Sequence, residues 1–260
     1  MKVILDVIAN IMQDSNISGL RENVLHYMCK KDVDEPNLKE KELQRRFSLA
    51  LLEISIMLRV SRESLKFRAA PKGSLKGDIK LYTEDGLIVD GNLGGASGIQ
   101  IPSEADLVTS VEVGEDIECI IVIEKETAFH YLTGKQFPQL EKCISVTAKG
   151  QPDVATRIAL GKIREYVPKI KFYCLMDYNP GGMQILSTYS FGSAQRAHDN
   201  LFLAVQEIQH IGILSRQVHK DDRLELNEDD NTLIDGIIIT KFIKMNLVRK
   251  NPDMLYFFHS

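Results

Sequence analysis

Beyond about residue 115 the chain repeats one pattern: a short apolar run, a turn, then a segment long enough for a helix. Cys119 to Ile123 runs into Glu124, Cys143 to Val146 precedes a helix start at Pro152, and Lys171 to Met176 runs into Asp177. Strands that alternate with helices imply an α/β domain, a parallel sheet flanked by helices. Ligands of such sheets sit beyond the carboxyl ends of the strands, where Glu124 and Asp177 are expected. Two acids at neighbouring strand ends can share a hard cation, because Mg²⁺ takes oxygen ligands and keeps waters or phosphate oxygens in its remaining positions. The bland alternative is that each acid caps the helix that follows it.

The first hundred residues read differently. Val3, Ile4, Val7, Ile8, Ile11 and Met12 recur at helical spacing, and Ser15-Asn16 breaks the pattern. Ser18 is placed to cap a second helix with Leu20, Val24, Tyr27 and Met28 on its apolar side, and Lys30-Lys31 suits its C-terminal end. A charged loop from Asp32 to Lys41 leads to a third helix marked by Leu43, Phe47, Leu51, Ile54 and Leu58. Asp78 to Asp90 is two alternating runs around Asp85-Gly86, a hairpin signal.

Three helices and a hairpin form the order of a winged helix, a variant of the helix-turn-helix DNA-binding class. Arg59, Arg62, Lys66, Arg68, Lys72, Lys76 and Lys80 lie between the last helix and the hairpin, against only Glu63 and Asp78. Such clusters contact DNA phosphates, although a solvated face is the alternative. The Gly-rich segment Gly91 to Pro102 reads as a linker, giving a winged-helix domain at 1–105 and an α/β domain with a C-terminal extension at 106–260.

Tyr27 lies on the apolar side of its helix, where most tyrosines are half-buried core residues. A phenol needs a base or a metal before it can attack a phosphodiester. Neighbouring residues on a helix point about 100° apart, so His26 is not assigned as that base.

Composition excludes several classes. No apolar run approaches the ~20 residues that cross a bilayer, and Asp6, Asn10 and Gln13 interrupt the start, so neither a membrane span nor a signal peptide is expected. Cys29, Cys119, Cys143 and Cys174 form no CxxC pair, and three sit in apolar runs, which fits a reducing compartment. The six histidines show no metal-ligand spacing, and no GxxxxGK[ST] motif marks an ATP site.

Five segments occur in the order of a known family: Met57 to Lys80 (MLRVSRESLKFRAAPKGSLKGDIK), Val122 to Phe129 (VIEKETAF), Thr147 to Arg157 (TAKGQPDVATR), Leu175 to Ile185 (LMDYNPGGMQI) and Tyr189 to Ser193 (YSFGS). They resemble the topoisomerase VI A subunit with its eukaryotic relatives, the meiotic double-strand-break transesterases, and the likeness covers roughly Val3 to Gly212. The resemblance implies a winged helix followed by a Toprim domain. It also implies a topoisomerase-like transesterase in which a tyrosine attacks double-stranded DNA, stays joined to the 5′ end and releases a 3′ hydroxyl.

Asn23 to Tyr27 (NVLHY) aligns Tyr27 with the family's nucleophile, while Arg21 and Glu22 stand two residues before the positions of its arginine and acid. Glu124 and Asp177 match the metal-binding acids, and Asn179 stands where the family has a further aspartate ligand. Lys149, Asp153 and Arg157 match its Lys-Gly-x-Pro-Asp segment, with Lys149 and Arg157 on the DNA side.

The family reading further implies Mg²⁺, a homodimer whose active sites each combine the tyrosine of one protomer with the acids of the other, a B-type ATPase-like partner, meiotic accessory proteins and a nuclear location. Two alternatives stay open. One is a catalytically weakened DNA-binding paralogue acting within a complex, and the other is the A subunit of a type IIB topoisomerase.

Overall fold

The computed structural model describes residues 2–17, 19–29, 40–135, 137–193, 196, 200–213, 217, 219 and 225–237. The charged loop expected before the third helix and the apolar run at 237–243 lie almost wholly outside these residues, as do Ser18 and Lys30-Lys31. By its internal contacts the chain forms two compact units, Met1–Ala70 and Pro71–Ser260.

The first unit holds helices α1 (Lys2–Gln13), α2 (Glu22–Cys29) and α3 (Glu40–Leu58). In α1 and α3 the periodicity works for Ile4, Ile8, Ile11, Phe47, Leu51 and Ile54, which are buried together with Leu65 and Phe67, whereas Met12, Leu58 and, on α2, Tyr27 and Met28 are exposed. Helix α2 begins later than the sequence suggested. Leu20 and Arg21 form a strand, β1 (Leu20–Arg21), that pairs in parallel with β2 (Phe67–Arg68).

The second unit contains β3 (Ser74–Lys76), β4 (Ile79–Thr83), β5 (Ile88–Asp90), β6 (Ile99–Gln100), β7 (Val108–Val113), β8 (Cys119–Ile123), α4 (Glu126–Gly134), β9 (Cys143–Thr147), α5 (Val154–Tyr166), β10 (Lys171–Leu175), α6 (Pro180–Phe191), α7 (Asn200–Leu203) and β11 (Gln209–Ile211). Six strands form a sheet in the order β11-β10-β8-β9-β3-β6. The four from β11 to β9 are parallel, and β3 and β6 add antiparallel neighbours. The expected parallel sheet is therefore the larger part of a mixed one. Strand β8 (CIIVI) is buried at every position, as a strand covered on both faces must be.

The hairpin around Asp85-Gly86 forms as β4 and β5, but it sits in the second unit, where β7 pairs with the other edge of β4. The Gly-rich segment is not a free linker either. Ile99 pairs with Leu75, Ile101 is 1 % exposed, and the Ile101 amide donates to the Gly73 carbonyl. Backbone pairing thus draws residues 71–105 into the second unit, and the boundary expected near 105 lies inside it. Among the described residues no helix is long and apolar enough to cross a membrane.

Candidate functional site

Sheet order creates the site. From β8 the chain moves to β9 on one side and then returns to β10 on the other, so β8 and β10 flank a topological switch point. Ligands bind at the carboxyl ends of parallel strands at such a point. Ile123 and Leu175 are register partners there, and Glu124 and Asp177 follow them.

The two acids are joined directly. The Asp177 backbone amide donates to Glu124 Oε2 at 3.1 Å, and the Glu124 amide donates to the Leu175 carbonyl at 3.1 Å. A third loop is tied in by the Gly150 amide, which donates to the Glu124 carbonyl at 2.9 Å. Lys149 precedes that glycine with φ 57°, an uncommon conformation for a residue with a side chain. Its amide is held by Thr147 Oγ1 at 3.1 Å.

Cations already face these carboxylates. Lys125 Nζ lies 2.6 Å from Asp177 Oδ2, and this hydrogen bond raises the lysine pKa. Lys149 Nζ lies 2.7 Å from Glu126 Oε1, and this bond lowers the Glu126 carboxyl. Glu124, Lys125, Glu126, Thr127, Lys149 and Gly150 line an open cleft of about 320 Å³. Lys125 and Glu126 received no role from the sequence. Their adjacency to Glu124 was the available signal, but only the turn into α4 shows that they face the same cleft.

Asn179 is the N-cap of α6: its Oδ1 accepts the Gly182 amide at 2.8 Å, with Pro180 in the first turn. Gly182 is required by close approach, since a Cβ there would collide with the Asp177 carbonyl oxygen and come within 3.4 Å of Glu124 Oε2. The α6 amino end, with its partial positive charge, is thereby held against the acids. Asp153 is likewise a cap, accepting the Thr156 amide at 3.0 Å and the Thr156 hydroxyl at 2.7 Å. The capping alternative raised for Glu124 and Asp177 does not hold, since they cap neither α4 nor α6; the caps of α5 and α6 are Asp153 and Asn179.

The expected DNA-contact residues divide. Arg68 and Arg157 are only 4 % and 2 % exposed, and Arg157 Nε donates to the Leu203 carbonyl at 3.2 Å. They are built into the interior instead of a phosphate-facing surface. Lys66 Nζ donates to the Asp14 carbonyl at 2.8 Å and the Ile11 carbonyl at 3.3 Å, closing the C-terminal end of α1. Lys76 Nζ reaches the Asn92 carbonyl at 3.3 Å. Arg62 and Lys72 are half-buried. Tyr27 is on α2 in the first unit and 55 % exposed, not packed into the core.

The donor set fits one Mg²⁺. Glu124 and Asp177 are two carboxylates at adjacent strand ends, and a lysine ammonium already sits against Asp177. Magnesium is held by one or two carboxylates, with water and phosphate completing its shell. Among the described residues no group of three or more His, Cys, Asp or Glu is arranged around one metal position.

Fold and site together define an α/β domain with paired acids at the switch point of its parallel strands. The family model for the Toprim domain of the topoisomerase 6 A subunit/Spo11 proteins matches residues 119–254, more than half of the chain, and the chain belongs to this family. It is similar to the A subunit of DNA topoisomerase 6 from Arabidopsis thaliana, 31 % identical over 235 residues, covering 86 % of this chain and 54 % of that protein. Meiotic recombination protein SPO11 of Homo sapiens is 30 % identical over 199 residues, 74 % of this chain and 49 % of its own length. Meiotic recombination protein SPO11-1 of Oryza sativa subsp. indica is 29 % identical over 244 residues, 90 % and 59 % respectively. The chain spans about half the length of the curated relatives it matches.

Proposed function

We propose that this chain is a meiotic-recombination-type DNA transesterase that makes double-strand breaks. The Tyr27 oxygen attacks a backbone phosphorus of double-stranded DNA. A tyrosine–phosphorus bond forms as the bond to the 3′ oxygen breaks, leaving a 5′-phosphotyrosyl link. The phenol loses its proton to solvent, and the departing 3′ oxygen takes one up. The observation that carries this reading is the hydrogen-bonded pair Glu124 and Asp177 at the switch point, in a chain of this family.

Glu124 and Asp177 would hold Mg²⁺, with Asn179 beside them at the α6 cap. When bound, Mg²⁺ supplies positive charge against the phosphate oxygens. Lys125 and Lys149 line the same cleft and add positive charge toward a DNA backbone. Arg59 is exposed and Arg62, Lys72 and Lys76 are half-buried, so these members of the basic segment keep some access to solvent. The exposure of Tyr27 suits a nucleophile that must reach a substrate.

In this reading the first unit, with its three helices and Tyr27, acts as a DNA-binding part, while the hairpin expected as its wing belongs to the second unit. Two strands require two tyrosines, so the chain works as a two-fold homodimer, one copy's Tyr27 serving the other copy's acids. A B-type ATPase-like partner and meiotic accessory proteins complete a nuclear assembly. The names of the relatives support either meiotic recombination or the A subunit of a type IIB topoisomerase.

The test is a covalent adduct assay on the purified protein with its partner proteins, in Mg²⁺ and in Mn²⁺. DNA joined to protein in the wild type and absent from Tyr27→Phe is expected. An adduct that survives Tyr27→Phe refutes the assignment. One observation favours a second reading, a weakened DNA-binding paralogue: the Asn179 carbonyl is engaged by the Gly182 amide and carries no charge. Metal-dependent DNA binding without an adduct, and cleavage gained by Asn179→Asp, would select it.

A further inference from the structure

Strands β8 and β9 begin with Cys119 and Cys143, which are register partners in the parallel ladder. Neighbouring strands run about 4.8 Å apart. That spacing lies inside the roughly 4.4–6.8 Å Cα separation that a disulfide spans. The two side chains share one face of the sheet, and their sulfurs are 2.7 Å apart. They lie at the amino ends of the strands, the opposite edge from Glu124 and Asp177. Cys143 is partly exposed beneath the turn Pro138–Leu140, and Cys119 is 8 % exposed.

We propose that Cys119 and Cys143 are a dithiol site that closes to a disulfide by exchange with a low-molecular-weight disulfide such as oxidised glutathione. Cys143, the more accessible thiol, attacks as its thiolate, bonding to one glutathione sulfur and expelling the other as a thiolate. Cys119 then gives up its proton and attacks the Cys143 sulfur, which expels the second glutathione thiolate. Two protein thiols are oxidised and one small disulfide is reduced to two thiols. Burial foremost, then the Cys143 thiol, pushes Cys119 up to about 12, so the second step is the slower one. Adjacency overcomes this, because the resolving sulfur is held against its target. The product ties β8, which leads into Glu124, to β9, which leads into the Lys149 loop.

The full chain is incubated with oxidised glutathione, quenched by alkylation and digested for mass spectrometry. The expected result is a monomeric species lighter by two hydrogens, yielding one linked peptide pair that contains Cys119 and Cys143 and that dithiothreitol separates. Cys29 and Cys174, both buried, remain alkylatable only after denaturation. In Cys119→Ser the reaction stops at a glutathione adduct on Cys143. Free thiols at both positions, a wild-type reaction that stops at the mixed disulfide, or a link between two chains would each overturn the proposal. The wild-type digest decides these outcomes even if a serine variant folds poorly.

Discussion

The Asp177 backbone amide donates to Glu124 Oε2 at 3.1 Å, so the acid at one strand end holds the backbone at the next. Glu124 is therefore both a charge and a structural acceptor. Removing the charge and removing the acceptor are separable. Glu124→Gln keeps an oxygen for the amide and should leave the unfolding midpoint within a few degrees, while Mn²⁺ affinity by calorimetry falls at least tenfold, about 1.4 kcal/mol. Glu124→Ala should lose the same affinity and also about 1 kcal/mol of stability with the hydrogen bond.

Asn179 allows a similar separation. Asn and Asp are about equal as N-caps, and either loses about 1 kcal/mol on replacement by Ala. Asn179→Asp should thus leave the denaturation midpoint nearly unchanged while strengthening Mn²⁺ binding through the added charge. Asn179→Ala should lower the midpoint. If Asn179→Asp and Asn179→Ala destabilise equally, the cap does not act as described.

Buried and accessible basic residues should behave in opposite ways. Arg157 is 2 % exposed and donates to the Leu203 carbonyl, so Arg157→Ala leaves a cavity and an unpaired carbonyl, costing about 2–3 kcal/mol. Lys72→Ala should leave stability within about 0.5 kcal/mol and instead weaken DNA binding and flatten its salt dependence. Denaturant melts and DNA titrations at two salt concentrations measure both.

Lys149 bonded to Glu126 lowers the glutamate pKa, so the stability from this pair is present above the unfolded carboxylate range and is lost as pH falls through the folded Glu126 pKa. NMR titration should place the Glu126 midpoint below that of an ordinary glutamate, and Lys149→Met should return it toward that range. Both side chains are substantially exposed, so added salt should shrink the difference.

Much of this molecule is local in origin. The spacing of Ile4, Ile8 and Ile11, the Asp85-Gly86 turn and the runs that end at Glu124 and Asp177 are each written within a dozen residues, and each forms as read. The basic segment divides in the structure, because composition records charge but not direction. Arg68 turns inward and Lys66 is taken up by the end of α1, although both look like surface cations in the sequence.

The sequence by itself determined the helices α1 and α3, the β4–β5 hairpin, the strands that run into Glu124 and Asp177, and, through motif order, the family. Tertiary structure alone decided that β10 lies beside β8, which joins two acids 53 residues apart by one hydrogen bond. It also decided that residues 71–105 pair into the second unit, that Arg157 is interior, and that Cys119 faces Cys143. The reason is physical. Side-chain periodicity and turn chemistry act over neighbouring residues, whereas strand order and register are set by the burial of whole faces against one another, which no single segment encodes.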